Sequence, residues 1–171
     1  MAVHTSDRRQ RRSLSTFFIL AYAISWAIEI PLALRAQGLI HARIPFALHY
    51  LAAYGPMLAA VVVTGFTEGG DGLRGLFRRM HQWRIRPMWW LVAIAPLILY
   101  GLLAAVLSAV QGQWPDAAAL GQIDHMPNLG IGALFFWILP FGLGEETGWR
   151  GYALPRLQRG RGALSATVLL W

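Results

Sequence analysis

The chain has 171 residues, 56% of them hydrophobic and 13% charged, with a formal net charge of +7 and a mean hydropathy of +0.45. A soluble domain of this length carries about twice that charge fraction, so the composition argues for a protein that buries its apolar surface in lipid. Cys is absent, which excludes disulfides, thiol catalysis and Cys-ligated metals.

Residues 1–13 contain Arg8, Arg9, Arg11 and Arg12 and read as an Arg-rich cytoplasmic tail; residues 14–171 read as one membrane-embedded domain. The first apolar block, 14–34, has the roughly 20 residues needed to cross about 30 Å of hydrocarbon. It is longer than the apolar region of a signal peptide, about 7–15 residues, and no small-x-small cleavage site follows it, so it reads as a retained helix. Glu29, close to its end and beside Pro31, reads as an interfacial carboxylate. A second block covers 46–66 and contains Gly55-Pro56. In the Arg-rich stretch after it, Leu73, Leu76, Phe77 and Met80 follow i, i+3, i+4, i+7 spacing while Arg74, Arg78 and Arg79 take the other face, the pattern of a helix anchored in the headgroups. A third block covers 88–110 and a fourth 129–144, and a fifth begins near Ala163 and reaches Trp171. None has the period-two alternation of a membrane barrel. The predicted fold is therefore all-α: a polytopic transmembrane helix bundle of about four full helices and the start of a fifth.

All fifteen basic residues are Arg. They fall in the tail, in the loop between the second and third blocks (Arg74, Arg78, Arg79, Arg84, Arg86) and after the fourth block (Arg150, Arg156, Arg159, Arg161), leaving Arg35 and Arg43 on the opposite side. The positive-inside rule then puts the N-terminus in the cytoplasm of a bacterial inner-membrane type protein, with 71–84 facing inward and 116–124 outward. Because these arginines lie beside membrane spans, topology and the anionic bilayer account for them, and a nucleic-acid partner is not expected.

The chemical signal is Gly144-Glu145-Glu146-Thr147-Gly148-Trp149-Arg150-Gly151-Tyr152, directly after the apolar run. Ionisable groups at membrane depth are costly unless paired or hydrated, which makes them functional candidates. From Leu129 to Glu145 is about 24 Å of helix, which predicts that the two carboxylates sit near the cytoplasmic boundary of the hydrocarbon. Glu146 and Arg150, at i and i+4 in the acid-first order, can pair. Glu145 has no such partner, and Gly148 at i+3 leaves open volume above it for water or a peptide carbonyl. Glu146 then balances charge and Glu145 is free to act as a general base. A helix end that merely carries a charged pair has the same spacing.

The Glu-Glu-x-x-x-Arg pattern of Glu145, Glu146 and Arg150, within GEETGWRGYALPRLQ from Gly144 to Gln158, resembles the motif of the CAAX-processing and bacteriocin-processing membrane proteases, which include the type II CAAX prenyl endopeptidases. Gly55-Pro56 and the Arg-rich loop before Trp89-Trp90 are loosely similar to that family. The resemblance implies a peptide-bond hydrolase opening toward the cytoplasm and acting on a peptide or protein substrate at the membrane face, with Glu145, Glu146 and Arg150 in the catalytic motif. It also implies a histidine from a second, aromatic-x-x-x-His motif, further His and Asn groups from a third, and either a divalent metal such as zinc or glutamate-activated water alone.

Trp171 resembles the aromatic residue of that second motif, whose histidine would fall four residues later. On this reading the chain is an incomplete protease, inactive alone. The histidines within it do not substitute. His49 is expected near the outer end of the second block, most of the bilayer thickness from Glu145; His41 and His125 lie outside, His4 in a mobile tail and His81 in the Arg-rich loop. Three converging ligands for a catalytic zinc cannot be assembled from them. Ser-Lys, Cys, paired-Asp, Gly-x-Ser-x-Gly and His-Glu-x-x-His chemistries are also missing. Ser165 reads as a packing serine. The alternative function is a non-catalytic membrane scaffold, regulator or immunity-type protein of the same fold.

Overall fold

The computed structural model describes residues 2–81, 84–112, 129–130 and 132–170, and every regular element among them is helical. The stretch 116–124, expected to face outward, His125 and Trp171 lie outside the described residues. The chain divides into two compact units, Met1–Met80 with Leu134–Trp171, and His81–Ala133.

The first unit begins with α1, Ala2–Ala36. The Arg-rich stretch expected as a separate, mobile tail is instead the opening of this helix. Arg is a good helix former, and no Gly or Pro interrupts the chain before Pro31. Gly38, at φ 73°, lets the chain leave the helix, and the Leu39 N–H donates to Leu34 O at 2.9 Å. After a 3₁₀ turn at Phe46–Leu48 come α2, His49–Ala52, and α3, Gly55–Met80. Within α3 the backbone breaks at Gly69, at φ 66° and ψ −157°, a conformation open essentially only to glycine. A Cβ on Gly72 would lie 2.9 Å from the Thr64 methyl, so the chain after the break folds back on the turn before it.

The fourth block is helical from Gly132 to Leu157 but not as one regular α-helix. It runs through α5 (Gly132–Trp137), π-helical turns at Ile138–Glu145 and Thr147–Ala153, and α6 (Leu154–Leu157). Pro140 lacks a backbone N–H, and Gly142, Gly144, Gly148 and Gly151 weaken the ordinary pitch. Two stretches of i→i+5 winding flanking Glu146 are unusual, since such winding is mostly confined to single turns and frequently marks functional sites. The last helix, α7, Ala163–Leu170, follows a turn at Gly160, φ 101°.

The core joins α1, α3 and the π-helical segment through Phe17, Ala21, Ala59, Ala60, Val63, Leu76, Tyr152 and Ala153. Alanines at these contacts let the backbones approach closely, the usual device of helix packing in lipid. Phe17 stacks on Tyr152 at 4.8 Å and meets Trp149 edge-on at 5.5 Å. Leu76 is fully buried, and the Thr147 hydroxyl lies 3.5 Å from the Met80 sulfur. The amphipathic segment after Gly69 therefore buries part of its apolar face, at Leu76 and Met80, against the motif helix, while Phe77 stays exposed.

In the second unit α4, Pro87–Gln111, starts with Pro in its first turn and ends at Gly112 in the left-handed conformation. Its sequence is apolar all round, the character of a membrane-spanning helix.

Three helical segments are long and apolar enough to cross a membrane: Gln10–Ala36, Phe46–Met80 and Pro87–Gln111, with mean hydropathies of 1.9, 1.7 and 2.4. The protein is an all-α helical bundle of membrane type. The fourth predicted crossing is not among those three, because its helix changes winding and carries the charged motif.

Candidate functional site

Glycines set the position of the motif. A Cβ on Gly144 would lie 2.6 Å from Ala53 O, and one on Gly148 would lie 2.6 Å from Pro56 O, so both sit against the break between α2 and α3 where no larger residue fits. A Cβ on Gly55 would in turn strike the Ser25 hydroxyl. Ser25 donates to Ala52 O at 2.8 Å, fixing α1 against the same break. Three chain segments thus meet at one level, and Glu145 follows immediately after the first of these contacts.

This arrangement sets the level of Glu145 along α1. Its carboxylate lines a cavity of about 220 Å³ together with Tyr22, Ser25, Trp26, Glu29 and His49. Tyr22 to Trp26 lie 8–12 residues beyond Leu14, roughly 12–18 Å into the first span at 1.5 Å per residue. Glu145 thus lies level with the middle of the first apolar block along α1. The π-helical winding of the fourth block also advances less per residue than the regular helix expected there. Gly148 is corrected: it is buried against Pro56, and the space beside Glu145 lies toward α1 and α2.

His49 is corrected too. Expected most of a bilayer away, it shares the cavity with Glu145, because α2 lies ahead of the break on which the motif helix packs. Its Nδ1 is 2.8 Å from Glu29 Oε1. Glu29 is thus one half of an interhelical pair rather than a bare interfacial carboxylate. Sequence reasoning missed this pair; both residues were visible as rare polar groups inside apolar blocks, but nothing in their spacing of 20 residues joins them.

The predicted pairing of Glu146 with Arg150 is present. Glu145 makes no hydrogen bond or ion pair among the described residues, and it also borders a second cavity of about 120 Å³ with Glu146, Trp149, Arg150 and Leu170. The last of these comes from α7, which therefore approaches the motif. A zinc ion would need about three converging protein ligands. Among the described residues no three His, Asp or Glu side chains converge in that way, and His49 is engaged with Glu29. The described residues do not assemble a metal site by themselves.

A buried cation was also missed. Arg156, counted above among arginines that set topology, has a side chain only 5% exposed, paired with Glu68 and seated 3.6 Å from the centre of the Tyr152 ring. Its position six residues after Arg150 carries no signal of burial.

Comparison of the chain with protein-family models, with curated proteins and with solved structures returned no match.

Proposed function

We propose that this protein is a membrane-embedded endopeptidase resembling the CAAX-processing proteases, in which Glu145 activates the attacking water. One observation carries the reading. Of two adjacent carboxylates at membrane depth, Glu146 is neutralised by Arg150 while Glu145 has no partner and borders a cavity large enough for water and a peptide carbonyl. An ionisable group kept in lipid without a structural partner is expected to serve function.

In the proposed reaction a water proton passes to the Glu145 carboxylate as the water oxygen bonds to the carbonyl carbon. The C–N bond then breaks, the leaving nitrogen takes that proton, and the carboxylate is restored. The Glu146–Arg150 pair offsets the neighbouring charge. The approach of α7 through Leu170 supports the reading, since the resemblance assigns its second motif to the helix that follows the glutamate motif. The same reading takes the membrane as the bacterial inner membrane, the N-terminus as cytoplasmic and the substrate as a peptide or protein presented at that face.

The test is cleavage of a quenched fluorescent peptide library by the full-length protein in proteoliposomes. Glu145→Gln is expected to lower the rate by about 10²–10⁴-fold, the usual contribution of a general base, with unchanged abundance and helicity. Cleavage at the original rate by Glu145→Gln overturns the assignment. If a full-length protein that carries the two further motifs the resemblance implies cleaves nothing, the non-catalytic membrane protein of the same fold becomes the better reading.

A further inference from the structure

Another cavity, of about 250 Å³, lies away from the glutamate motif between the start of the first span and the turn after α6. It is lined by Gln10, Arg11 and Leu14 on α1 and by Arg156, Arg159, Gly160 and Arg161. From this geometry we infer a binding site for the phosphate of an anionic phospholipid headgroup. The inference does not depend on the endopeptidase reading.

No acidic residue lines the cavity, although four of its seven residues are Arg. The charge of Arg156 is taken up by Glu68. The guanidinium groups of Arg159 and Arg161 make no ion pair among the described residues. Between them Gly160, at φ 101°, turns the chain so that both residues reach one cavity, which an L side chain at that position would resist. The opposite wall is held in place. The Gln10 side-chain amide donates to Arg156 O at 3.0 Å, and the Tyr152 hydroxyl donates to Ser13 O at 3.4 Å. The cavity is thus a fixed gap between two joined elements, whereas scattered surface arginines would give only diffuse attraction.

Depth selects the ligand. Leu14 opens the apolar block of α1, so the cavity straddles the boundary between hydrocarbon and water, the level of lipid phosphates. Guanidinium groups bind phosphate oxygens through paired N–H donors, and basic pockets beside membrane helices hold phosphate-bearing headgroups. Free phosphate has the same oxygens, but it lacks acyl chains to lie along Leu14 and the apolar residues beyond it.

The experiment uses the full chain in neutral detergent, with Trp fluorescence reporting thermal unfolding. Phosphatidylglycerol, phosphatidylcholine or inorganic phosphate is titrated in turn. Phosphatidylglycerol is expected to raise the midpoint saturably while phosphatidylcholine and millimolar phosphate do not. Arg159→Gln/Arg161→Gln should weaken the apparent affinity for phosphatidylglycerol roughly tenfold or more, each arginine near an anionic surface contributing about a factor of five. Removing the same charge elsewhere, in Arg74→Gln/Arg84→Gln, should leave it within about twofold. If the double variant fails to fold, Arg161→Gln alone, altered on an exposed turn, carries the comparison. Equal protection by inorganic phosphate assigns the cavity to a soluble anion and overturns the lipid reading. Equal loss in the two double variants, or no loss in either, shows that net charge rather than this cavity attracts the lipid, and also overturns it.

Discussion

The guanidinium of Arg156 is engaged on three sides. It pairs with Glu68, donates to Tyr152 O at 3.0 Å and lies over the Tyr152 ring. Those contacts tie the break at Gly69 to the end of the motif helix. Arg156→Ala would remove these contacts together, but Glu68, whose side chain is 45% exposed, can then be solvated, so the loss falls below the about 3 kcal/mol of a fully buried pair. A fall in the unfolding midpoint in detergent is expected, with Arg156→Lys restoring only part of it because an ammonium cannot fork and stack at once. A midpoint within about a degree of the original for Arg156→Ala would show that the clamp contributes nothing. The contrast is Glu145→Gln, which removes a charge that has no partner and should not destabilise the fold.

At the scale of elements, the site depends on close approach. Gly148 sits against Pro56 and Gly144 against Ala53, four residues apart on one face of the winding. Gly148→Ala would drive a methyl into Pro56 backbone, and overpacking of this kind costs about 1–3 kcal/mol. Gly142→Ala, whose added carbon would meet only the Ile138 side chain at 3.5 Å, should be neutral. Comparable folded yields of the two variants would show that the contact can relax.

The same elements explain what the sequence made legible. Apolar blocks and their lengths announce helices in lipid directly, and acid-first i, i+4 spacing announced the Glu146–Arg150 pair because both residues share one helix. Level along α1 and interhelical partners were not legible. Placing Glu145 beside His49 required the break at Ala53-Tyr54, the wide winding around Glu146 and the close fit of Gly144, and none of these leaves a periodic trace. Leu76 was correctly placed on an apolar helix face, but periodicity cannot say whether lipid or protein covers that face. The small-residue spacing of Gly144 and Gly148 was the one available signal of close packing, and it was overlooked.

For the whole molecule, contacts within the first unit reduce orientation to a single binary choice. Gln10 reaches Arg156, and Arg156 reaches Glu68, so the start of α1, the kink of α3 and the Arg-rich turn after α6 share one end of the unit. Glu29 and His49 pair toward the other end, near the loop that carries Arg35 and Arg43. The start of α1 at Gln10 and the turn from Arg156 to Arg161, whose arginines the positive-inside rule assigns to one side, are thus joined by packing that owes nothing to that rule. Which end is cytoplasmic can be read with single cysteines, since the chain has none of its own. Gln37 and Gln158 are exposed, uncharged and at opposite ends, so replacing either leaves the arginine distribution intact. An impermeant maleimide applied to intact cells should label Gln37→Cys, and should label Gln158→Cys only after the membrane is opened. The reverse pattern would invert the orientation, and labelling of both in intact cells would mean that the first unit does not cross the membrane as a bundle.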